Sequence, residues 1–167
     1  TLGAQWRHDH VAPLGLYTAS GGERTGVTQL SEVHQDSLGL WGQQTQRWLP
    51  WLRSVLGLRS DRLAVDVRSN IADNSGTRTA WIHSPKASLV WGPWAGQEFF
   101  LNAGLGFHSN DARGITARVK PSDGSATEPG VPLVRTRGSE LGWRTDWAPG
   151  VSSSLSWWQL DLSSELV

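Results

Sequence analysis

Apolar and polar residues alternate with period two along much of the chain, the spacing that puts successive side chains on opposite faces of a β-strand. Phe99, Leu101, Ala103, Leu105 and Phe107 fall on one face, opposite Glu98, Phe100, Asn102, Gly104, Gly106 and His108. Leu141, Trp143, Thr145 and Trp147 alternate with Glu140, Gly142, Arg144 and Asp146. Leu56 and Leu58 oppose Gly57, Arg59 and Asp61, while Ala87, Leu89 and Trp91 oppose Lys86, Ser88 and Val90. The pattern predicts seven strands, over about 2–10, 37–48, 52–67, 78–91, 97–108, 133–147 and 151–166. Three exceptions predict irregularities. Gln44 and Gln46 share the face of Leu38, Leu40 and Trp48, and Leu155 and Trp157 are out of phase with Trp158, Leu160 and Leu162, so a bulge is expected in each strand. Pro85 removes a ladder donor and predicts a bulge or an unpaired position.

The connections alternate in length. Leu49-Pro50-Trp51, Gly92 to Gly96 and Ala148-Pro149-Gly150 are tight, whereas Val11 to Asp36, Ser69 to Thr77 and Ser109 to Pro132 read as long polar loops. An antiparallel up-and-down meander puts the short turns at one end and the long loops at the other, as in an outer-membrane barrel. Periodicity alone equally fits a soluble β-sandwich. Tryptophan placement separates the two. Of 11 Trp residues, Trp48, Trp51, Trp91, Trp94 and Trp147 gather at the short-turn end. An indole joins an apolar body to one N–H donor and is most stable where hydrocarbon meets headgroup, so these five are the expected lipid-interface girdle. Arg59, Asp61, Lys86, Glu98, Asn102, Glu140, Arg144 and Asp146 share the other face, which suits a wet lumen better than a dry core.

Composition narrows the function. Fifteen Lys and Arg balance 15 Asp and Glu, so no basic excess points to nucleic acid. The absence of Cys removes disulfides, thiolate metal sites and cysteine nucleophiles. No apolar run is long enough for a membrane helix. The chain begins at Thr1 without a signal peptide and stops at Val167 inside a strand-like run, which leads us to expect a piece of a longer protein. Seven strands are also too few to close around such a lumen.

Specific phrases resemble the barrel of TonB-dependent outer-membrane receptors. They are Ser84 to Trp94, Asn102 to Gly114, Leu133 to Gly142, Trp51 to Asp61 and Leu155 to Val167, with Gly106 to Gly114 the most specific. The resemblance covers essentially all of residues 1–167, as a partial barrel domain. It implies a 22-stranded barrel filled by an N-terminal plug, located in the outer membrane of a Gram-negative bacterium. It also implies import of a scarce nutrient, most often a ferric siderophore or another metal chelate, when the TonB complex pulls on the plug. The expected partners are outer-membrane lipid, the plug, the TonB complex through it, and a small chelate. Plug, TonB box and terminal strands are expected to lie outside this sequence. A soluble sugar-binding β-sandwich and a passive porin-like channel are the alternatives.

Other chemistry finds little support. His8 and His10 share a strand face at a metal-site spacing, but no third ligand is assignable from sequence, so no metal is expected. Gly21 to Thr28 has P-loop glycine spacing with Val27 at the lysine position, and reads as a mobile loop. No nucleophile elbow appears, and neither catalysis nor a cofactor is expected. His108, Asn110, Asp111 and Arg113 are the candidate contacts at the outer mouth to a polar ligand or to the plug, although the same polar groups suit pinning the base of a long loop better.

Overall fold

The computed structural model describes residues 1–163. One seven-stranded antiparallel sheet runs in sequence order: β1 (Leu2–Ser20), β2 (Glu23–Leu49), β3 (Leu52–Ser69), β4 (Gly76–Trp94), β5 (Gln97–Ser109), β6 (Leu133–Ala148) and β7 (Val151–Leu162). A short helix, α1 (Ala112–Thr116), follows β5, and a 3-10 turn at Ala72–Asn74 joins β3 to β4. The sheet curves into a half-barrel. No second sheet packs against it among the described residues, so the sandwich alternative fails. The tail of the expected seventh strand, 164–166, lies outside the described residues.

Ladder register assigns the faces. Partners in an antiparallel ladder share a face, so Leu40↔Ser60, Leu56↔Ala87, Leu89↔Leu101 and Leu101↔Leu141 trace the outer surface. Gly39↔Asp61, Ser88↔Asn102 and Glu98↔Arg144 trace the inner one. All eight polar residues expected on one side stand on this inner face.

The expected loop between Val11 and Asp36 does not exist. The first hairpin instead climbs to a two-residue turn at Gly21-Gly22, with φ of +59° and +86°, the primed-turn geometry that glycine adopts without strain. Gly21 to Thr28 is therefore a tight turn and strand, not a mobile loop. Above Ser31↔Ser69 the ribbon leaves β3, and water wets both of its faces, so its sequence lacks the alternation of a half-buried strand.

The bulge expected between Leu155 and Trp158 is absent, and in β2 the ladder with β3 shifts register only at Trp48, between Arg47 and Leu49, after both glutamines. The β2–β3 ladder runs unbroken from Ser31 to Arg47, and the β6–β7 ladder from Thr136 to Asp146. Gln44 and Gln46 simply stand outward with Leu40, and Leu155 and Trp157 point to the opposite side from Trp158 and Leu160. Pro85 acts as anticipated. Pairing of β4 with β5 stops at Lys86↔Gly104, one residue below it. Above that point, Arg135 from β6 donates to the His83 carbonyl at 2.9 Å.

Candidate functional site

The inner face has a polar lower part and an apolar upper part. Near the turns, Arg53 donates to both Glu98 oxygens at 2.8 and 3.1 Å, and Arg144 Nε donates to Glu98 Oε2 at 2.7 Å. One carboxylate thus holds two guanidiniums from strands on either side of β4 and β5. Farther up, Arg59 Nε donates to both oxygens of the buried Asp61 and Nη2 reaches Gln5 Oε1 at 3.3 Å. Gly39, paired with Asp61, leaves the space this guanidinium occupies, since a Cβ there would overlap it. Asn102 donates to Glu140 at 2.9 Å.

Two adjoining hollows follow the inner wall. One, of about 560 Å³, is lined by Trp41, Gln43, Arg59, Ser84 and Lys86. The other, of about 570 Å³, has Gly104, Gly106 and Gly138 in its floor and Lys86, Glu140 and Trp158 at its sides. Charged and aromatic walls over a side-chain-free floor suit a polar ligand or a packed polypeptide.

Above the hollows the same face turns apolar. Val33, Leu63, Val65 and Val67 are buried beneath Ala112 and Ile115 of α1, and Ile115 is wholly inaccessible. The connection after β5 therefore folds inward over β2 and β3. Asn74 locks it there: its Oδ1 accepts from Arg118 N and Val119 N at 2.9 and 3.0 Å, and its Nδ2 donates to Val119 O at 3.0 Å. Thr116 Oγ1 donates to Asn74 O at 3.0 Å. Sequence reasoning missed this contact. The spacing of Ala112 and Ile115 after an N-capping Asp111 was a readable sign of one amphipathic turn, but nothing local marks Asn74.

The four candidate contacts sit at the base of this connection. His108 stands on the inner face of β5. Asn110 donates to Val131 O at 2.7 Å and receives the chain back through a backbone bond to Pro132. Asp111 caps α1 by accepting from Arg113 N at 2.8 Å, and the Arg113 guanidinium returns two bonds to it at 3.0 and 2.7 Å. The Arg113 side-chain hydrogen bonds hold the Asp111 carboxyl below its ordinary value of 3.8, against the opposing effect of partial burial. A lowered folded pKa stabilises the capped form above 3.8, and that stabilisation is lost as pH falls through the lowered value. Protection of the Arg113 and Gly114 amides, measured as exchange relative to the intrinsic rate at each pH, should thus be unchanged from pH 7 to 5 and fall only well below pH 4. Loss of protection already at pH 5 would contradict the pairing.

On the outer face, Trp48 and Trp147 donate to Ser54 and Ser153 at 2.9 and 3.0 Å, Trp51 lies 5.8 Å from Trp94, and Trp143 meets Trp147 edge-on. A second row, which sequence reasoning did not pick out, crosses the sheet as Trp6↔Leu38, Leu38↔Arg62 and Arg62↔Trp81.

A curled antiparallel meander with an ion-paired inner wall and an apolar outer surface is a barrel section. The family model described as TonB dependent receptor-like, beta-barrel matches residues 1–167. The chain belongs to this family. Among curated proteins, none matches it. As a TonB-dependent receptor barrel, it is an outer-membrane transport protein that crosses the bilayer with β-strands.

Proposed function

We propose that residues 1–167 form a wall section of a receptor for TonB-energised uptake of a scarce nutrient, with a ferric siderophore or similar metal chelate as ligand. The observation that carries this reading is the separation of faces: ion-paired residues and hollows inside, aliphatic and Trp residues outside. The seven strands leave two sheet edges, and lipid does not tolerate an open edge, so further strands complete the barrel. The hollows face the space where a plug would sit, and the plug would engage the TonB complex. At the outer mouth, His108 would face the ligand while Asn110, Asp111 and Arg113 set the position of the inward-folded connection.

The complete receptor containing this wall is expected to take up a ferric chelate in an iron-starved Gram-negative host only while TonB is present. Uptake that persists without TonB would favour the passive-channel alternative and overturn this reading.

The two Trp rows fit the two membrane boundaries. Ten residues of β2 separate Trp48 from Leu38. That is about 33 Å of strand, or about 25 Å of height at a tilt of about 40°, the thickness of the apolar band of such barrels. We propose Trp48, Trp51, Trp91, Trp94 and Trp147 as the lower interface girdle. Replacing Trp48, Trp51, Trp94 and Trp147 together by Phe should remove a large share of the fluorescence quenched by lipids brominated near the headgroup, leaving that of Trp91 and of the upper row, Trp6 and Trp81. Little change in shallow quenching, with a large loss of quenching by mid-bilayer bromine, would place these residues elsewhere.

A further inference from the structure

Just above the upper Trp row, the outer face changes from aliphatic to ionisable side chains. His8↔Asp36 and His10↔His34 are directly opposed pairs of the β1–β2 ladder, and Glu32 follows two residues farther along β2. His10 and His34 lie face to face with ring centroids 4.2 Å apart. One carboxylate oxygen, Glu32 Oε1, lies 2.9 Å from His10 Nε2 and 3.3 Å from His34 Nε2. The three ligand atoms are all within 4.8 Å of one another. Donors around a tetrahedral zinc ion, at about 2.0–2.1 Å each, stand about 3.4 Å apart. Converging them on one ion requires the two ring planes, now within 8° of parallel, to tilt open toward a shared point, a side-chain rotation that their partly solvent-exposed positions leave room for.

We propose that His10, Glu32 and His34 form a site for a divalent transition cation, with zinc(II) as the favoured occupant. Two neutral imidazoles and one carboxylate are borderline donors that select zinc or copper over calcium or magnesium, which take oxygen ligands. The cation replaces the protons by which the imidazoles now share Glu32. Three protein ligands leave one coordination position for water or an external donor. The His8–Asp36 pair, bonded at 2.9 Å, occupies the next ladder step and is not required as a ligand.

The site lies outside the hydrocarbon layer. Fifteen residues of β2 separate His34 from Leu49. This is about 50 Å of strand and about 38 Å of height at a tilt of about 40°, beyond an apolar band of about 25 Å. All three side chains remain partly open to solvent. Because they sit on the outer surface, a cation here is separate from any chelate carried through the lumen.

The test uses the complete receptor purified in detergent, titrated with zinc(II) against a chromophoric chelator at neutral pH and examined with copper(II) by electron paramagnetic resonance. Wild type should bind one more zinc per chain than His10→Ala or His34→Ala, and its copper spectrum should show coupling to two nitrogens that either variant reduces. His8→Ala should retain the ion. Glu32→Gln, which changes no ring, should weaken binding, and heat-modifiable gel mobility establishes that each barrel is folded. Equal zinc stoichiometry in wild type and both histidine variants would overturn the proposal, as would loss of the ion in His8→Ala with retention in His10→Ala. The readout is binding by a folded barrel, so failure of chelate uptake leaves this result intact.

Discussion

Ile115→Ala is expected to release the connection between β5 and β6 from the inner wall while leaving the barrel folded. Ile115 is fully buried against a patch that includes Leu63, Val65 and Val67, and truncating such a side chain typically costs about 2–5 kcal/mol. The whole of that loss falls on a small unit, because α1 spans only Ala112–Thr116 and is held otherwise by the small Ala112 and by a few hydrogen bonds, among them Thr116 to Asn74 O and Arg78 to Ile115 O. An opening equilibrium shifted by 2 kcal/mol or more raises the open population about 30-fold. Trypsin cleavage after Arg113 or Arg118 in the membrane-embedded receptor should accelerate by that order, with heat-modifiable mobility unchanged. Asn74→Ala provides a second route to the same state. It removes the acceptor for two backbone N–H groups and the donor to Val119 O, and leaves those groups to find water or stay unpaired. Cleavage at the wild-type rate in both variants would show that the connection is not held by these contacts. If the ligand enters past this segment, its release should also change ligand affinity, which links a packing contact to receptor function.

Glu98→Ala should produce the largest loss of stability in the lower wall. Glu98 is the common anion for Arg53 and Arg144, and its side chain is only 13% exposed. Its removal leaves two like charges facing each other across the wall without a counter-charge. Breaking a buried ion pair costs about 3–5 kcal/mol, but the Arg144 side chain is half exposed to a wet lumen, so about 2–3 kcal/mol is the expected scale here. Urea unfolding of the receptor in lipid should show a corresponding drop in midpoint. Arg53→Ala combined with Glu98→Ala should cost less than the sum of the two single changes, because each single change already breaks the same contact. Additive losses would mean that the three side chains do not act as a unit. High salt should narrow the difference between wild type and variant, since the lumen admits screening ions.

Much of this structure was legible because a bilayer imposes a strict rule on strands. Faces that meet lipid must be apolar and faces that meet water can be polar, so the run from Glu98 to His108 and the run from Glu140 to Trp147 carried their orientation in plain alternation. Turn chemistry at Pro50, Pro93 and Pro149-Gly150 marked the short end, and Pro85 marked the place where pairing with β5 stops. The rule fails above the membrane. Beyond Ser31 both faces of the β1–β2 ribbon meet water, alternation disappears, and strand looked like loop, while from Ser31 to Asp36 β2 pairs with β3 and buries Val33 under α1, a single apolar residue among polar ones that gave no pattern. It also misled at Gln44, Gln46 and Leu155, where residues that break the pattern were read as bulges, although an unbroken ladder simply carries them.

The candidate sites divide along the same line. The pairing of Asp111 with Arg113, two residues away, lies within reach of local reasoning. The contacts of Asn74 with residues 44 and 45 positions later, of Glu98 with Arg53, and of His10 with Glu32 and His34 do not. By itself the sequence determined the strand class, the polarity of the two faces, the short-turn end with its tryptophans, and the family. Tertiary structure alone decided which polar residues meet, that the connection after β5 folds inward, and that Glu32, His34 and Asp36 stand beside His8 and His10. The reason is physical: face and turn are properties of consecutive residues, whereas register and loop packing depend on groups that only the folded sheet brings within a few ångströms.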